Sequence, residues 1–375
     1  MKKLLKEITR IADSEGIRKQ RAFELFVEER FDVITNIKPY TKIDGIYLDL
    51  VKQNPFEDVL EKVAVELGYL NKRMGQFMTP SSVSALLLSN SEHLEALDYS
   101  CGTGVNGLTM LAKTQAKATV KYGGSTLPMI IHHSVKPALT LHLNDLDETM
   151  AKIAFIQTLA NYNVHCRNSF NLDLLVTNNH LIKDWKKPLK QVFKSYNSRQ
   201  NFKSMSEAKK DLLILNPPFG LADYGFDYAK ANTDEERFSK ILPNKKDCES
   251  AFILSALDLM TDDGEAFLIL PEGCNFTKAT MAVRKQVFSE KLMDCIVSLP
   301  PKIFSETAIP TTVWNLKKKR DKDKVFLINL REEAEYFKSK KSFDILKSSF
   351  AMDFDKCDFM EVNNETLFEY FNKAA

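Results

Sequence analysis

The stretch Leu94-Glu95-Ala96-Leu97-Asp98-Tyr99-Ser100-Cys101-Gly102-Thr103-Gly104-Val105-Asn106-Gly107 decides the fold. A short apolar strand ends in Asp98, and glycines at 102, 104 and 107 satisfy the spacing G-x-G-x-x-G before a helical segment. Glycines let the backbone turn tightly and approach a ligand without a Cβ in the way. The spacing alone is common to many turns, but between a strand and a helix it reads as a nucleotide-type cofactor loop. Two cofactor classes compete. A dinucleotide would rest its pyrophosphate on the helix N-terminus and needs an acidic residue about 20 positions on. The next acids at a strand end, Asp145 and Asp147, lie well beyond that, although an insertion at 117–138 could account for the gap. Asp98 favours the other class: a carboxylate just before the turn repels pyrophosphate but suits the ammonium group of S-adenosylmethionine. Asp145 would then hold the ribose hydroxyls.

Outward from this loop, short apolar runs alternate with helical stretches. Strands are expected at 94–99, 139–144, 211–215, 264–270, 293–299, 311–316 and 325–330, and helices near 81–90, 105–116, 147–161, 249–261 and 277–290. This alternation predicts an α/β fold with a doubly wound, mostly parallel sheet, in which ligands bind beyond the carboxyl ends of the strands.

The strand at 211–215 runs directly into Asn216-Pro217-Pro218-Phe219. The prolines remove two backbone donors, which leaves carbonyls free to accept. An exocyclic amine on adenine is a poor nucleophile because its lone pair is delocalised into the ring. Two acceptors on its hydrogens, the Asn216 side-chain oxygen and the Pro217 carbonyl, would help localise that pair. Phe219 would stack on the base. The competing reading is a simple strand-terminating turn.

Residues 1–72 read as a small N-terminal helical domain, 73–330 as the catalytic domain and 331–375 as a C-terminal helical extension. Leu4, Leu5, Ile8 and Ile11 keep a helix period. Asn54-Pro55-Phe56-Glu57 looks like a helix start, and Gly68 a stop.

The 375 residues carry a net charge of only +2, so nucleic-acid contact must come from local patches. One candidate is residues 181–210, with nine Lys and Arg against Asp184 and Glu207; the plainer reading is a solvated loop. Glu249, at a helix start, either caps that helix or lines the pocket. The six cysteines include no C-x-x-C pair and the six histidines no metal-ligand spacing, with His132-His133 in the insertion, so no metal is expected. No apolar run reaches the roughly 18 residues of a membrane span. The charged N-terminus lacks the apolar core of a signal peptide, so a cytoplasmic location is expected.

Taken in order, these residues resemble the amino-methyltransferase superfamily, and more closely the modification subunit of type I restriction systems and related adenine-N6 DNA methylases. The resemblance covers about residues 70–330. Met74 to Pro80 resembles the cofactor-binding segment before the sheet, which implies cofactor roles for Gln76, Phe77, Thr79 and Pro80. Asp98 to Gly104 resembles the first strand loop, with Cys101, Gly102 and Gly104 at the cofactor. Asn144-Asp145 resembles the acidic end of the second strand, and Asn168-Ser169-Phe170 the third strand's tip, whose polar residue meets the cofactor adenine. Asn216 to Phe219 resembles the catalytic tetrapeptide. Leu268 to Gly273, Leu299 to Phe304 and Ile309 to Thr312 resemble the later strands.

Tyr99 stands where the family usually has proline, and Asp145 where glutamate is common, with Asp147 as a rival. The resemblance implies the class I S-adenosylmethionine-dependent methyltransferase fold and methyl transfer to adenine N6 in DNA. It further implies a separate DNA-specificity subunit and other restriction-modification subunits as partners, because only about 55 residues follow position 320. An RNA adenine methylase and a non-catalytic cofactor-binding subunit are the alternatives; a dehydrogenase is more distant.

Overall fold

The computed structural model describes residues 1–69, 77–89, 91–122, 136–304, 307–320, 324–334 and 358–363. Five helices come first: α1 (Lys2–Glu15), α2 (Lys19–Ile34), α3 (Lys42–Gln53), α4 (Val59–Glu66) and α5 (Ser81–Leu88). Then β1 (Glu95–Asp98), α6 (Val105–Tyr122), β2 (Ala138–Asn144), α7 (Glu148–Asn161), β3 (Asn171–Thr177), β4 (Gln191–Lys194) and β5 (Lys210–Leu215) follow. Helices α8 (Phe226–Ala231), α9 (Glu236–Ser239) and α10 (Cys248–Leu259) lead to β6 (Met260–Pro271), α11 (Met281–Ser289), β7 (Met293–Ser298), β8 (Thr311–Lys317), β9 (Lys324–Asn329) and β10 (Asp358–Asn363).

The ten strands form one sheet in the order β10-β9-β7-β8-β6-β5-β1-β2-β3-β4. Neighbours pair in parallel except where β4, β8 and β10 meet theirs, so the sheet is mostly parallel, as the alternation predicts. From β1 the chain winds one way through β2 and β3 and the other way through β5 and β6. The switch point between β1 and β5 is where such a sheet opens a crevice at its carboxyl edge.

Strand period sorts the core into two layers. Ala96, Leu212, Ile214, Phe267 and Ile269 face one apolar cluster, which α1 to α7 cover. Leu97, Leu213, Leu215, Leu268 and Leu270 face the other, beneath α10 and α11. Leu4, Phe23, Phe26, Val51 and Leu60 of the N-terminal helices belong to the same cluster as Leu141 of β2 and Phe155 of α7. The N-terminal helices therefore share their core with the sheet's first face.

Several local expectations change. Asn54 does not start a helix; its backbone and side-chain amides both close α3 on the Leu50 carbonyl. The next helix begins four residues later, where Asp58 accepts from the Glu61 N–H. Gly68, at φ 65°, ends it as expected. In the C-terminal region, Asp358–Asn363 is a strand paired antiparallel with β9 rather than part of a helical extension. Residues 181–210 are not one loop: β4 lies within them, pairing with β3 at the sheet's edge. His132, His133 and Gln76 lie outside the described residues.

Candidate active site at the carboxyl edge of the sheet

The loop after β1 supplies the first wall of a pocket at this edge. Gly102 and Gly104 adopt φ of 52° and 97°, which a side chain would disfavour. A Cβ on Gly104 would also stand 2.8 Å from the Ala154 Cα of α7, so this glycine sets how closely the loop rests on that helix. Asp98 is buried behind the loop rather than in the pocket wall. It accepts from the Ser100 N–H (3.1 Å) and the Asn106 amide (2.8 Å), and burial pushes its carboxyl up to about 7.

The tip of β2 supplies the second wall. Asp145 accepts from the Gly102 N–H (2.9 Å) and the Asp147 N–H (2.9 Å), and burial raises it to about 6. Its rival Asp147 instead caps α7 through the Thr149 and Met150 amides. Leu146, half exposed, presents an apolar face beside Asp145 in the pocket. Asn144 ties three strand tips together: its amide donates to the Tyr99 and Asn179 carbonyls, and its oxygen accepts from Thr177 and the Asn179 N–H.

The third strand corrects the sequence reading. Asn168, Ser169 and Phe170 precede β3, since Asn171 pairs with Ala138 at the start of β2. They therefore lie at the amino edge, a whole strand length from the pocket. Phe170 is buried against Tyr162. The true tip is Thr177 onward, and Asn179, His180 and Leu181 line the pocket. Arg237 holds this segment from behind. It stacks on Trp185 at 3.8 Å, pairs with Glu235 and donates to the Leu181 and Ile182 carbonyls.

Asn216 closes the pocket from the end of β5. Its amide nitrogen donates to the Phe77 carbonyl (2.7 Å) and the Thr79 hydroxyl (3.0 Å), which uses both of its protons. Its Oδ1 is thereby left uncommitted among the described residues. Phe77, Thr79 and Pro218 also line the pocket, whereas Pro80 caps α5 just outside it. Phe219 is buried against Phe77 (5.5 Å) and Phe304 (6.4 Å), so it braces the loop rather than standing as an open disc. The start of α10 grips the same loop. Glu249, which is not the cap, accepts from the Gly220 N–H (2.8 Å), and Cys248 Sγ accepts from the Leu221 N–H (3.1 Å). The cap is Asp247, bonded to the Ser250 N–H.

Of the residues expected at the site, Phe77, Thr79, Cys101, Gly102, Asp145, Asn216 and Pro218 line one pocket. Gly104, Asp98, Pro80, Pro217 and Phe219 shape or support it. Met78, Ser100, Thr103, Leu146, Asn179, His180 and Leu221 are wall residues that sequence reasoning missed. The signal for Asn179 was present, because the polar pair Asn178-Asn179 comes just after the apolar Leu174-Leu175-Val176, as Asp98 comes after Leu97. No group of metal-binding side chains occurs among the described residues.

This sheet order, with one antiparallel strand inserted between β6 and β7 and a glycine loop at the switch point, defines a class I methyltransferase fold. The family model described as N-6 DNA Methylase matches residues 53–351, and the chain belongs to that family. Among curated relatives, the type I restriction enzyme MpnII methylase subunit of Mycoplasma pneumoniae is 24% identical over 371 residues, covering 89% of this chain and 61% of its own length. The HindI methylase subunit of Haemophilus influenzae is 21% identical, covering 70% and 50%. The chain thus spans between half and two thirds of these relatives.

Among solved structures, the type I restriction-modification methyltransferase subunit from Streptococcus thermophilus superposes with a TM-score of 0.50 at 21% identity, over 80% of this chain and 58% of that one. A Listeria monocytogenes protein assigned to the class I S-adenosylmethionine-dependent methyltransferases gives 0.51 at 15% identity, over 93% and 100%.

Proposed function

We propose that this chain transfers a methyl group from S-adenosylmethionine to the N6 amino group of adenine in DNA. The observation that carries the reading is Asn216, a residue of the pocket wall whose amide protons are both held by the 77–79 segment, which leaves Oδ1 as its free acceptor.

The pocket's chemistry fits the cofactor. Asp145 offers a carboxylate for ribose hydroxyls, Leu146 an apolar face for a purine, and Asn179 polar groups for its edge. The Ser100 hydroxyl is buried without a partner beside the glycine loop, available to a polar group of the ligand. S-Adenosylmethionine supplies an electrophilic sulfonium methyl. The chain's own part is alignment: Asn216 Oδ1 and the Pro217 carbonyl accept from the two amine hydrogens, which turns the nitrogen lone pair toward that methyl. A base in a duplex must first be flipped out of the stack to reach this depth.

DNA is favoured by the family and by the distribution of charge. Four lysines of the basic segment 181–210 are ion-paired: Lys183 with Asp223, Lys186 with Glu235, and Lys187 and Lys190 with Asp184. Lys210 is buried over Phe202. By contrast, Lys245, Lys246, Lys278 and Lys302 are exposed and have no ion-pair partner among the described residues. They sit in the connections after β5, β6 and β7, all leaving the carboxyl edge. That arrangement suits phosphates flanking a base held in the pocket. The relatives are named as subunits of type I restriction enzymes, which supports a partner chain that reads the sequence.

The test is transfer of labelled methyl groups from S-adenosylmethionine to duplex DNA in competition with ribosomal and transfer RNA, with and without a cognate specificity protein. Label is expected in DNA. The Lys278→Glu/Lys302→Glu variant is expected to bind DNA more weakly and to show a shallower dependence of binding on salt, by about one to two phosphate contacts, with cofactor affinity unchanged. Label confined to RNA, or DNA binding indifferent to these lysines, would contradict the reading.

A further inference from the structure

The N-terminal helices reach the cofactor loop at one buried carboxylate. We propose that Asp58 is a positioning residue for cofactor binding: by fixing Thr103 between Gly102 and Gly104, it keys the shape of the glycine loop to the N-terminal helical layer. The proposal rests on the reading of that loop as the S-adenosylmethionine site.

Asp58 is 1% exposed. Its Oδ2 accepts from the Thr103 hydroxyl at 2.5 Å, and its Oδ1 from the Gln157 amide at 2.7 Å and the Glu61 N–H at 2.9 Å. The same Gln157 nitrogen donates to the Thr103 carbonyl at 2.8 Å, while its oxygen accepts from the Leu60 N–H at 2.9 Å. One turn away on α7, Asn161 accepts from the Phe56 N–H at 2.8 Å. Two of Thr103's polar groups, hydroxyl and carbonyl, are thus tied outward to α4 and α7. The pocket side of the loop is tied separately, by Gly102 to Asp145.

The loop needs an external template. Thr103 lies between two residues of positive φ, and glycines visit many such conformations with little preference. A capping carboxylate for α4 needs only the Glu61 contact. Aiming the second oxygen at a loop residue 45 positions away does nothing for the helix and fixes the pocket wall. Asp58 touches no reacting group, so its influence runs through Thr103. The linkage is reciprocal: cofactor binding should also tighten α4 against the loop.

The test measures S-adenosylmethionine and S-adenosylhomocysteine binding by calorimetry, together with unfolding temperature, in the full chain and its variants. Asp58→Ala is expected to weaken cofactor binding by about tenfold or more, within the usual range of coupling between sites. Thr103→Val, which leaves the α4 cap intact, is expected to do the same. The double variant should be no worse than either single one, because both remove one interaction. Asp58→Asn keeps an acceptor for Gln157 and Glu61 and a polar group facing Thr103, so it should recover most of the affinity.

A lowered unfolding temperature with unchanged cofactor affinity in Asp58→Ala and Thr103→Val would overturn the proposal and leave a purely structural contact. If the unaltered chain binds neither cofactor form, the cofactor reading itself falls, and this proposal with it.

Discussion

Asn216→Ala is expected to lower the rate of methyl transfer by about 10²–10³-fold, the range for removing one electrostatic partner of the reacting atoms. The effect should fall on the single-turnover rate at saturating S-adenosylmethionine, because the acceptor acts on the amine as it becomes a nucleophile. Cofactor affinity should change less, by what the release of Phe77 and Thr79 costs, since the glycine loop and Asp145 are held by other bonds. Asn216→Asp is the sharper control. It keeps an oxygen in the pocket but cannot donate to the Phe77 carbonyl or hold the Thr79 hydroxyl in the same sense. Transfer should fail there too, which would separate the need for a fixed acceptor from the need for any acceptor. Full activity in Asn216→Ala, measured under single-turnover conditions, would remove the residue from the mechanism.

Gly104→Ala is expected to be the most damaging small substitution in the loop. At φ 97° a side chain is strained, and its Cβ would collide with the α7 backbone at Ala154, which cannot give way as a side-chain tip can. The cost should reach about 3 kcal/mol or more, lowering the unfolding temperature by several degrees and weakening cofactor binding as the loop shifts. Gly220→Ala isolates the cause. It also has positive φ, at 60°, but open space where the Cβ would stand. It should cost only about 1 kcal/mol, the ordinary penalty of a left-handed residue. Equal melting temperatures for the two variants, read by calorimetry, would show that the contact with Ala154 does not matter.

Much of this site was legible in the sequence because its chemistry is concentrated at strand ends. Asp98 to Gly104 and Asn216 to Phe219 are contiguous, and each follows an apolar run that marks its strand. Asp145 was separable from Asp147 only with coordinates, since one accepts from Gly102 and the other caps α7. The third strand was misplaced because Asp173 interrupts its apolar run, while Asn168-Ser169-Phe170 imitates a polar tip. Phe170 serves packing at the opposite edge instead.

The pairing within the basic segment was hidden for a different reason. Charge counted along the chain cannot show that Lys183 and Lys186 are met by Asp223 and Glu235, which come from beyond the segment. Nor could any local pattern reveal the bond between Asp58 and Gln157, whose partners are 99 residues apart.

The most direct measurement is the identity of the modified nucleoside. The chain, supplied with S-adenosylmethionine carrying a labelled methyl group and with DNA in the presence of its cognate specificity protein, is allowed to react. The DNA is then digested and its nucleosides are resolved by mass spectrometry. The expected product is N6-methyldeoxyadenosine carrying the label, absent from the Asn216→Ala reaction. Label on cytosine, or on no base at all while the unaltered chain binds the cofactor, would contradict the assignment of this pocket to adenine.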